Sequence, residues 1–448
     1  MIVENSVFIN EIATTFSSGK RDAFYRYEAT FDLGDSTITP IKVSGIHINR
    51  EYNQSFADEI VLYVTFPLGK YFTQIYPNKT NLTVNLAKIP LTETAQEELT
   101  EVNITTQTYR AILIDKGDLA ADGNIDQLQN ETDGDRAGFI EVEMQLVDVS
   151  LEYIRLKTIG GIIRNAVPGT TLKTLFTKES TNLPIALESK IKGLTMVEPD
   201  NTVARKQTVI PHGTKLIDLP NWLQREGGGI YSSGLGCYLQ NGSWYIYPEY
   251  DTDRFDLARE TVSIFNIPPK RFPHVERTYH VSGKSLYILS TGQVKHVDRS
   301  ENEMNNEGNG VRFTDPELLL NGYSSTKDNT TKLQRGDINT EVVNIERSTG
   351  LNNVPVSPSR YNSNIFHEMS MLATRKGQYV QVSWQNSQPE LIKPGMPVRF
   401  YSYRGDELIQ RDGIVVAAEH TISTGDEGAV VIKHSCNSAV SLFLKNIQ

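Results

Sequence analysis

The chain has 448 residues, 38% of them hydrophobic, with 20 Tyr and 16 Phe; single cores stop growing near ~250–300 residues, so two to four folded domains are expected. A formal net charge of −10 and an isoelectric point near 5.4 exclude a protein that grips nucleic acid by its phosphates, because such binders need a basic surface. Cys237 and Cys436 lie far apart in the chain and form no Cys-x-x-Cys, so neither a disulfide framework nor a zinc cluster is supported, and two buried thiols in a reducing compartment are expected.

No basic segment followed by an apolar core opens the chain, so no secretion signal is expected. The longest apolar stretch, residues 60–68, is far below the ~20 residues that cross a bilayer, so no membrane anchor is expected. Residues 22–31 then alternate, Ala23, Tyr25, Tyr27, Ala29 and Phe31 on one face against Arg26, Glu28 and Thr30, the pattern of a half-buried strand. Strands follow at 41–48, 59–66 and 106–114, separated by Pro, Gly and Asn, and the first ~115 residues read as an all-β barrel or sandwich. An acidic loop at 115–135 leads to a further alternating strand in which Ile140, Val142, Met144 and Leu146 oppose Glu141, Glu143 and Gln145.

The pattern changes near residue 168. Thr170 offers an N-cap, and Leu172, Leu175 and Phe176 make a short apolar stripe, so a small helix opens a mixed region. That region continues through residues 213–251 as a helix-like segment, a Gly-rich corner and a hairpin turning at Asn241-Gly242. Residues 301–358 are rich in Asn, Ser, Thr and Gly and read as an insertion or linker. Ser363 is placed to cap a helix carrying Ile365, Phe366, Met369, Leu372 and Ala373, which stops at Gly377. Four strands close the chain, drawn from YVQVSW, MPVRFYSY, DGIVVAAEHTI and AVVIKHS. The expected fold is mainly β with minor α: a first barrel at 1–148, a mixed α/β connecting domain at 149–265, and a second barrel from 266–300 and 359–448.

Motifs that carry chemistry fail on spacing. His367-Glu368 lacks the second imidazole of a zinc helix because position 371 is Met. GGGIYSSGLG at 227–236 lacks the terminal Lys of a phosphate loop and the dinucleotide glycine spacing. Ser17-Ser18-Gly19-Lys20 fits an acylating Ser-x-x-Lys without its partner motifs. Asp118, Asp122 and Asp126 recur in the acidic loop, but Ala120 and Gln129 occupy calcium-ligand positions of an EF-hand register. Arg335-Gly336-Asp337 and Arg404-Gly405-Asp406 are read as turn chemistry rather than adhesion signals. The remaining histidines, at 47, 212, 274, 280, 296, 420 and 434, show no ligand spacing. No catalytic, metal or cofactor residue is therefore assigned, and no enzyme activity is expected.

The carboxy-terminal order of helix, strand, polar loop and Pro-Gly corner resembles the second tube domain of baseplate hub proteins from contractile-tailed bacteriophages and related type VI secretion spike proteins. The positions that carry the resemblance are Leu391, Pro394, Gly395 and Val398, followed by Ile414, Val416 and His420. Residues 144–176 look like that family's exit from its first tube domain, and residues 219–251, with Trp222, Trp244 and Tyr250, look like its connecting domain. The resemblance covers about 300 residues as ordered patterns; 115–135 and 301–358 have no counterpart.

That resemblance implies two tube-type barrels per subunit and a homotrimer with pseudo-sixfold symmetry. Such a ring would adapt a sixfold tail tube to a threefold central spike, with an acidic channel through which DNA passes without specific binding. It implies further partners as well: a tube or tube-initiator protein, a tape measure protein and surrounding wedge proteins, in a virion tail assembled in the host cytoplasm. The competing reading is a tail-associated enzyme or adhesin acting on cell-surface polysaccharide, with the aromatic hairpin at 231–250 stacking on sugars.

Overall fold

The computed structural model describes residues 24–34, 36–91, 104–114, 138–186, 189–273, 278–291, 377–404, 407–425 and 433–446, the backbone of short strands between 295 and 355, and single positions within 12–16 and 366–374. The chain is mainly β. The first seven strands are β1 (Phe24–Asp32), β2 (Thr37–Ile38), β3 (Lys42–Glu51), β4 (Glu59–Pro67), β5 (Leu82–Leu91), β6 (Thr105–Leu113) and β7 (Phe139–Asp148). Period-two alternation decides which face each one buries. In β4 Ile60, Leu62, Val64 and Phe66 point inward, meeting Val142, Met144 and Leu146 of β7 and Leu82 and Val84 of β5 in one apolar core. β5 had no clear signal in the sequence. β6 and β7 pair antiparallel across the acidic loop, with Ile112 opposite Gln145.

A connecting layer follows: α1 (Val149–Leu156), β8 (Thr158–Ala166), α2 (Pro168–Thr181), β9 (Gly193–Met196), β10 (Arg205–Lys215), α3 (Leu219–Arg225), β11 (Leu235–Gln240) and β12 (Ser243–Pro248). α1 follows β7 with no intervening loop. Asp148 ends the strand, and its carboxylate accepts from the amides of Ser150 (2.7 Å) and Leu151 (3.4 Å), satisfying the free donors of a helix start. α2 begins two residues before the expected Thr170 cap, because Pro168 has the fixed φ and absent N–H that suit a first helical position. Its Leu172 and Phe176 are buried, and Phe176 meets Trp244 edge-on at 4.7 Å. The β11–β12 hairpin turns at Asn241 and Gly242, both at positive φ (50° and 68°), as a two-residue hairpin loop requires.

The last strands are β13 (Thr261–Ile267), β14 (Tyr279–Ser282), β15 (Ser285–Thr291), β16 (Lys295–Val297), β17 (Val311–Thr314), β18 (Ser324–Lys327), β19 (Thr330–Arg335), β20 (Ile338–Asn344), β21 (Asn352–Pro355), β22 (Gly377–Trp384), β23 (Pro397–Arg404), β24 (Glu407–Thr424) and β25 (His434–Lys445). β17 to β21 form two small sheets within the stretch expected to be an insertion or linker. Residues 366, 369, 370 and 373 are helical, in keeping with the helix expected there, while Ser363 lies outside the described residues.

The pairing order closes a ring. β24, β3, β4, β7, β6, β5, β1 and β25 are successive neighbours, and β25 pairs with β24 again. A second curved sheet runs β15, β13, β23, β24, β25 and β22. Its ends meet where Ser290 Oγ donates to the Ser383 carbonyl (2.7 Å) and Thr278 Oγ1 to the Gln385 carbonyl (2.6 Å). Val262, Ile264, Ile288, Val382, Phe400 and Leu442 fill its core.

Candidate functional site

Both rings use the same hairpin. β24 has 18 residues, about 60 Å at ~3.3 Å per residue. Its first half, Glu407 to Ile414, pairs with β23, and its second half, Ala417 to Ser423, pairs with β3. β25 divides likewise: Ser438–Lys445 pair with β22, while His434 lies opposite Tyr25 of β1. The change of partner falls at a β-bulge between Val415 and Ala417. A bulge adds a residue and increases the local twist, which lets one strand leave one sheet and enter another. The free carbonyl of Val416 accepts from the amide of Tyr52, the residue just after β3.

Tyr52 stands where the two rings and the connecting layer meet. Its ring packs edge-on against Tyr238 at 4.8 Å, its hydroxyl donates to Gln240 Oε1 (3.3 Å), and its carbonyl accepts from the Tyr247 hydroxyl (3.1 Å). Gln240 in turn donates to the Ile392 carbonyl (2.8 Å). The Pro394-Gly395 corner closes the same junction. Gly395 has φ +64°, a Cβ there would overlap the Tyr247 ring, and its carbonyl accepts from Arg254 Nη2 (2.5 Å). The glycine is demanded twice, by the backbone and by the close ring.

Beside Tyr52 runs a buried polar chain. Arg50, 2% exposed, donates to Asp58 Oδ2 (3.1 Å), the Pro389 carbonyl (2.5 Å) and His420 Nε2 (3.2 Å). A guanidinium has no acceptor, so Nε2 of His420 must accept and the proton sits on Nδ1, which donates to Ser438 Oγ at 2.5 Å. Ser438 reaches Ser387 Oγ (2.5 Å), and Ser387 reaches the Cys436 carbonyl (3.2 Å). Burial and the nearby Arg50 hold the His420 pKa well below its ordinary value. Burial also pushes the Asp58 carboxyl up, against the opposing pull of Arg50.

Ser and His in contact suggest a nucleophile, but the third member here is a cation. It opposes the imidazolium that general-base catalysis must form, and His420 is fully buried. The chain therefore fastens β3, β24, β25 and the 387–391 segment to one another. A cavity of about 640 Å³ adjoins it, with Arg50, Asp58, Tyr109, Lys88 and Glu390 in its wall; Lys88 and Glu390 form an ion pair at 2.9 Å.

Other sequence candidates separate cleanly. In the Gly-rich corner the amides of Ile230 and Tyr231 are taken by Gln224 Oε1 (2.9 and 3.3 Å) and that of Ser232 by Asp200 Oδ2 (2.8 Å), so no amide cradle is offered to a phosphate. In the 231–250 hairpin suggested to stack on sugars, Tyr231, Tyr238, Trp244 and Tyr247 are buried, while Tyr245 and Tyr250 are half-buried. His434 is buried between Tyr27 and the Val43 carbonyl, and His47 faces Glu419 at 3.5 Å. Cys237 and Cys436 are free thiols, both pushed up in pKa by burial. Ser17 to Lys20, Asp118, Asp122, Asp126, His274, His367, Glu368, Gly336, Asp337, Gly405 and Asp406 lie outside the described residues. No helix among the described residues is long and apolar enough to cross a membrane. The Arg50 network and Tyr52 were missed in sequence; only the regular alternation around them was visible.

No protein-family model matches the chain, and no curated protein matches it. Among solved structures it is similar in fold to a tail protein from Neisseria meningitidis (9% identity, 93% of this chain and 96% of that one, TM-score 0.48). It is also similar to the 43 kDa tail protein of prophage MuSo2 from Shewanella oneidensis (9% identity, 93% and 98%, TM-score 0.45). An Escherichia coli component of the type VI secretion system, described as similar to T4 bacteriophage tail proteins, aligns over 91% of this chain and 74% of its own at 6% identity, TM-score 0.40.

Proposed function

We propose that the chain is the structural hub of a contractile-tail baseplate, a homotrimer whose six barrels surround a channel and join a sixfold tail tube to a threefold central spike. The observation that carries this reading is the shared β24–β25 hairpin, which holds two barrels from opposite ends of one chain side by side as a single piece. Three copies of such a pair present six comparable units, the arithmetic a symmetry adaptor needs. Domain limits at 1–148, 149–265, and 266–300 with 359–448 belong to the same proposal, as do the spike, tube, tape measure and wedge partners. So does a place in the virion.

The proposed mechanism contains no chemical step. Function resides in interfaces, which for permanent assemblies bury more than ~2,000 Å², and in a net charge of −10 that repels passing DNA. Mass measurement in solution together with negative-stain imaging tests the proposal. A threefold ring with an axial hole is expected, and a compact monomer at micromolar concentration overturns it.

A further inference from the structure

We propose that the β8–β10 sheet is a contact surface for a second copy of this chain, docking on the outer face of the neighbour's β7, which carries Glu141 and Glu143. The proposal rests on the ring assembly above and names the surface that builds it. Among the described residues β8 and β10 pair only with each other, so neither outer edge of this two-stranded sheet has a strand partner there. Two strands alone are marginal in water; Ile159, Ile163 and Ile210 anchor the inner face to the connecting core.

The outer face is apolar where a solvated face should be polar. Ile162 and Val209 stand directly opposite each other and are 57% and 53% exposed, with Leu156, 81% exposed, just before β8. A cross-strand apolar pair left in water is the mark of a surface that is covered in the assembled state. Arg164, opposite Gln207, continues the same face.

Charge selects the occupant. β8 and β10 contain no Asp or Glu; of their cations, Arg164 and Arg205 share the face of Ile162 and Val209, Arg205 also donating to the Glu226 carbonyl (2.8 Å), while Lys206 lies on the face of Thr208 and Ile210 and Lys215 beyond the bulge. The chain carries −10 and this sheet +4, so the remainder carries −14. A basic surface on so acidic a chain finds its complement on a copy of itself. The outer face of β7 offers the match: Phe139, 68% exposed, with Glu141 and Glu143 along the same face and the half-exposed Ile112 of β6 opposite Gln145 at its far end. The two patches differ, so the contact is heterologous and closes only as a ring or runs on as a filament.

Native mass spectrometry and sedimentation on the full chain test this, with far-UV circular dichroism as a check on folding. The wild type is expected to be trimeric. Arg164→Glu alone, and Glu141→Arg alone, are expected to weaken association at least tenfold, and the double reversal Arg164→Glu/Glu141→Arg to restore it, a rescue that misfolding cannot mimic. Ile162→Glu/Val209→Glu is expected to be monomeric with an unchanged spectrum. A trimer that all these variants keep overturns the surface while leaving the ring intact. A monomeric wild type overturns ring and surface together. Wild-type binding to duplex DNA that Arg164→Glu abolishes, with assembly unchanged, assigns the sheet to nucleic acid and overturns the proposal.

Discussion

His420 shows how a single buried side chain becomes a pH-dependent fastener. Its Nε2 accepts from Arg50, so a proton there would set two cationic donors face to face in a dry interior. The folded pKa therefore lies below the ordinary ~6.5 of an unfolded His. The unfolded chain takes up the proton as pH falls through that value and the folded chain does not, so stability is full above about pH 6.5 and drains below it. His434 is shifted in the same direction by its own burial. Across pH 5 to 8 the unfolding free energy should fall on the acid side by up to about 1.4 kcal/mol per pH unit for each such group, read out as a lower thermal midpoint. His420→Gln, which keeps an acceptor for Arg50 and a donor for Ser438, should lower the midpoint at pH 7.5 and flatten the acid slope. An unaltered slope would place the titration elsewhere.

Among the structural elements, the Pro394-Gly395 corner is more than a chain reversal before β23. Pro394 sets one φ, Gly395 takes φ +64°, and the Tyr247 ring lies against the missing side chain. Gly213 has the same kind of backbone, φ +87°, with nothing near where its Cβ would be. Gly213→Ala should therefore lose only the ~1–2 kcal/mol of the left-handed conformation. Gly395→Ala should lose that and roughly 1–3 kcal/mol more from overpacking. Urea denaturation midpoints of the two variants measure the difference, and equal losses would mean that Tyr247 simply moves aside. In the sequence the corner was plain and its partner was not, because the motif states the turn while the ring that fills it arrives from 148 residues earlier in the chain.

For the molecule as a whole, the shared hairpin removes the independence that separate domains would have. The first ring is completed by β24 and β25, so a fragment ending near residue 150 keeps β1 and β3 with open edges and an uncovered core. Calorimetry of the full chain should give one dominant transition for both barrels. The 1–150 fragment should lack a cooperative transition and aggregate. A sharp, reversible melt of that fragment would show that six strands close without the hairpin.

Local rules made much of this protein readable from its residues alone. Alternation set the inward faces of β4 and β7, Asn241-Gly242 set a hairpin, and Pro394-Gly395 set a corner, because each depends on neighbours a few positions away. Resemblance supplied the expectation of two barrels. The partner exchange of β24, the meeting of Arg50 with His420 across 370 residues, and the burial of Tyr231 and Trp244 were decided by tertiary structure. Strand pairing and burial depend on what lies beside a segment in space, and alternation looks the same whether one sheet or two will claim the strand.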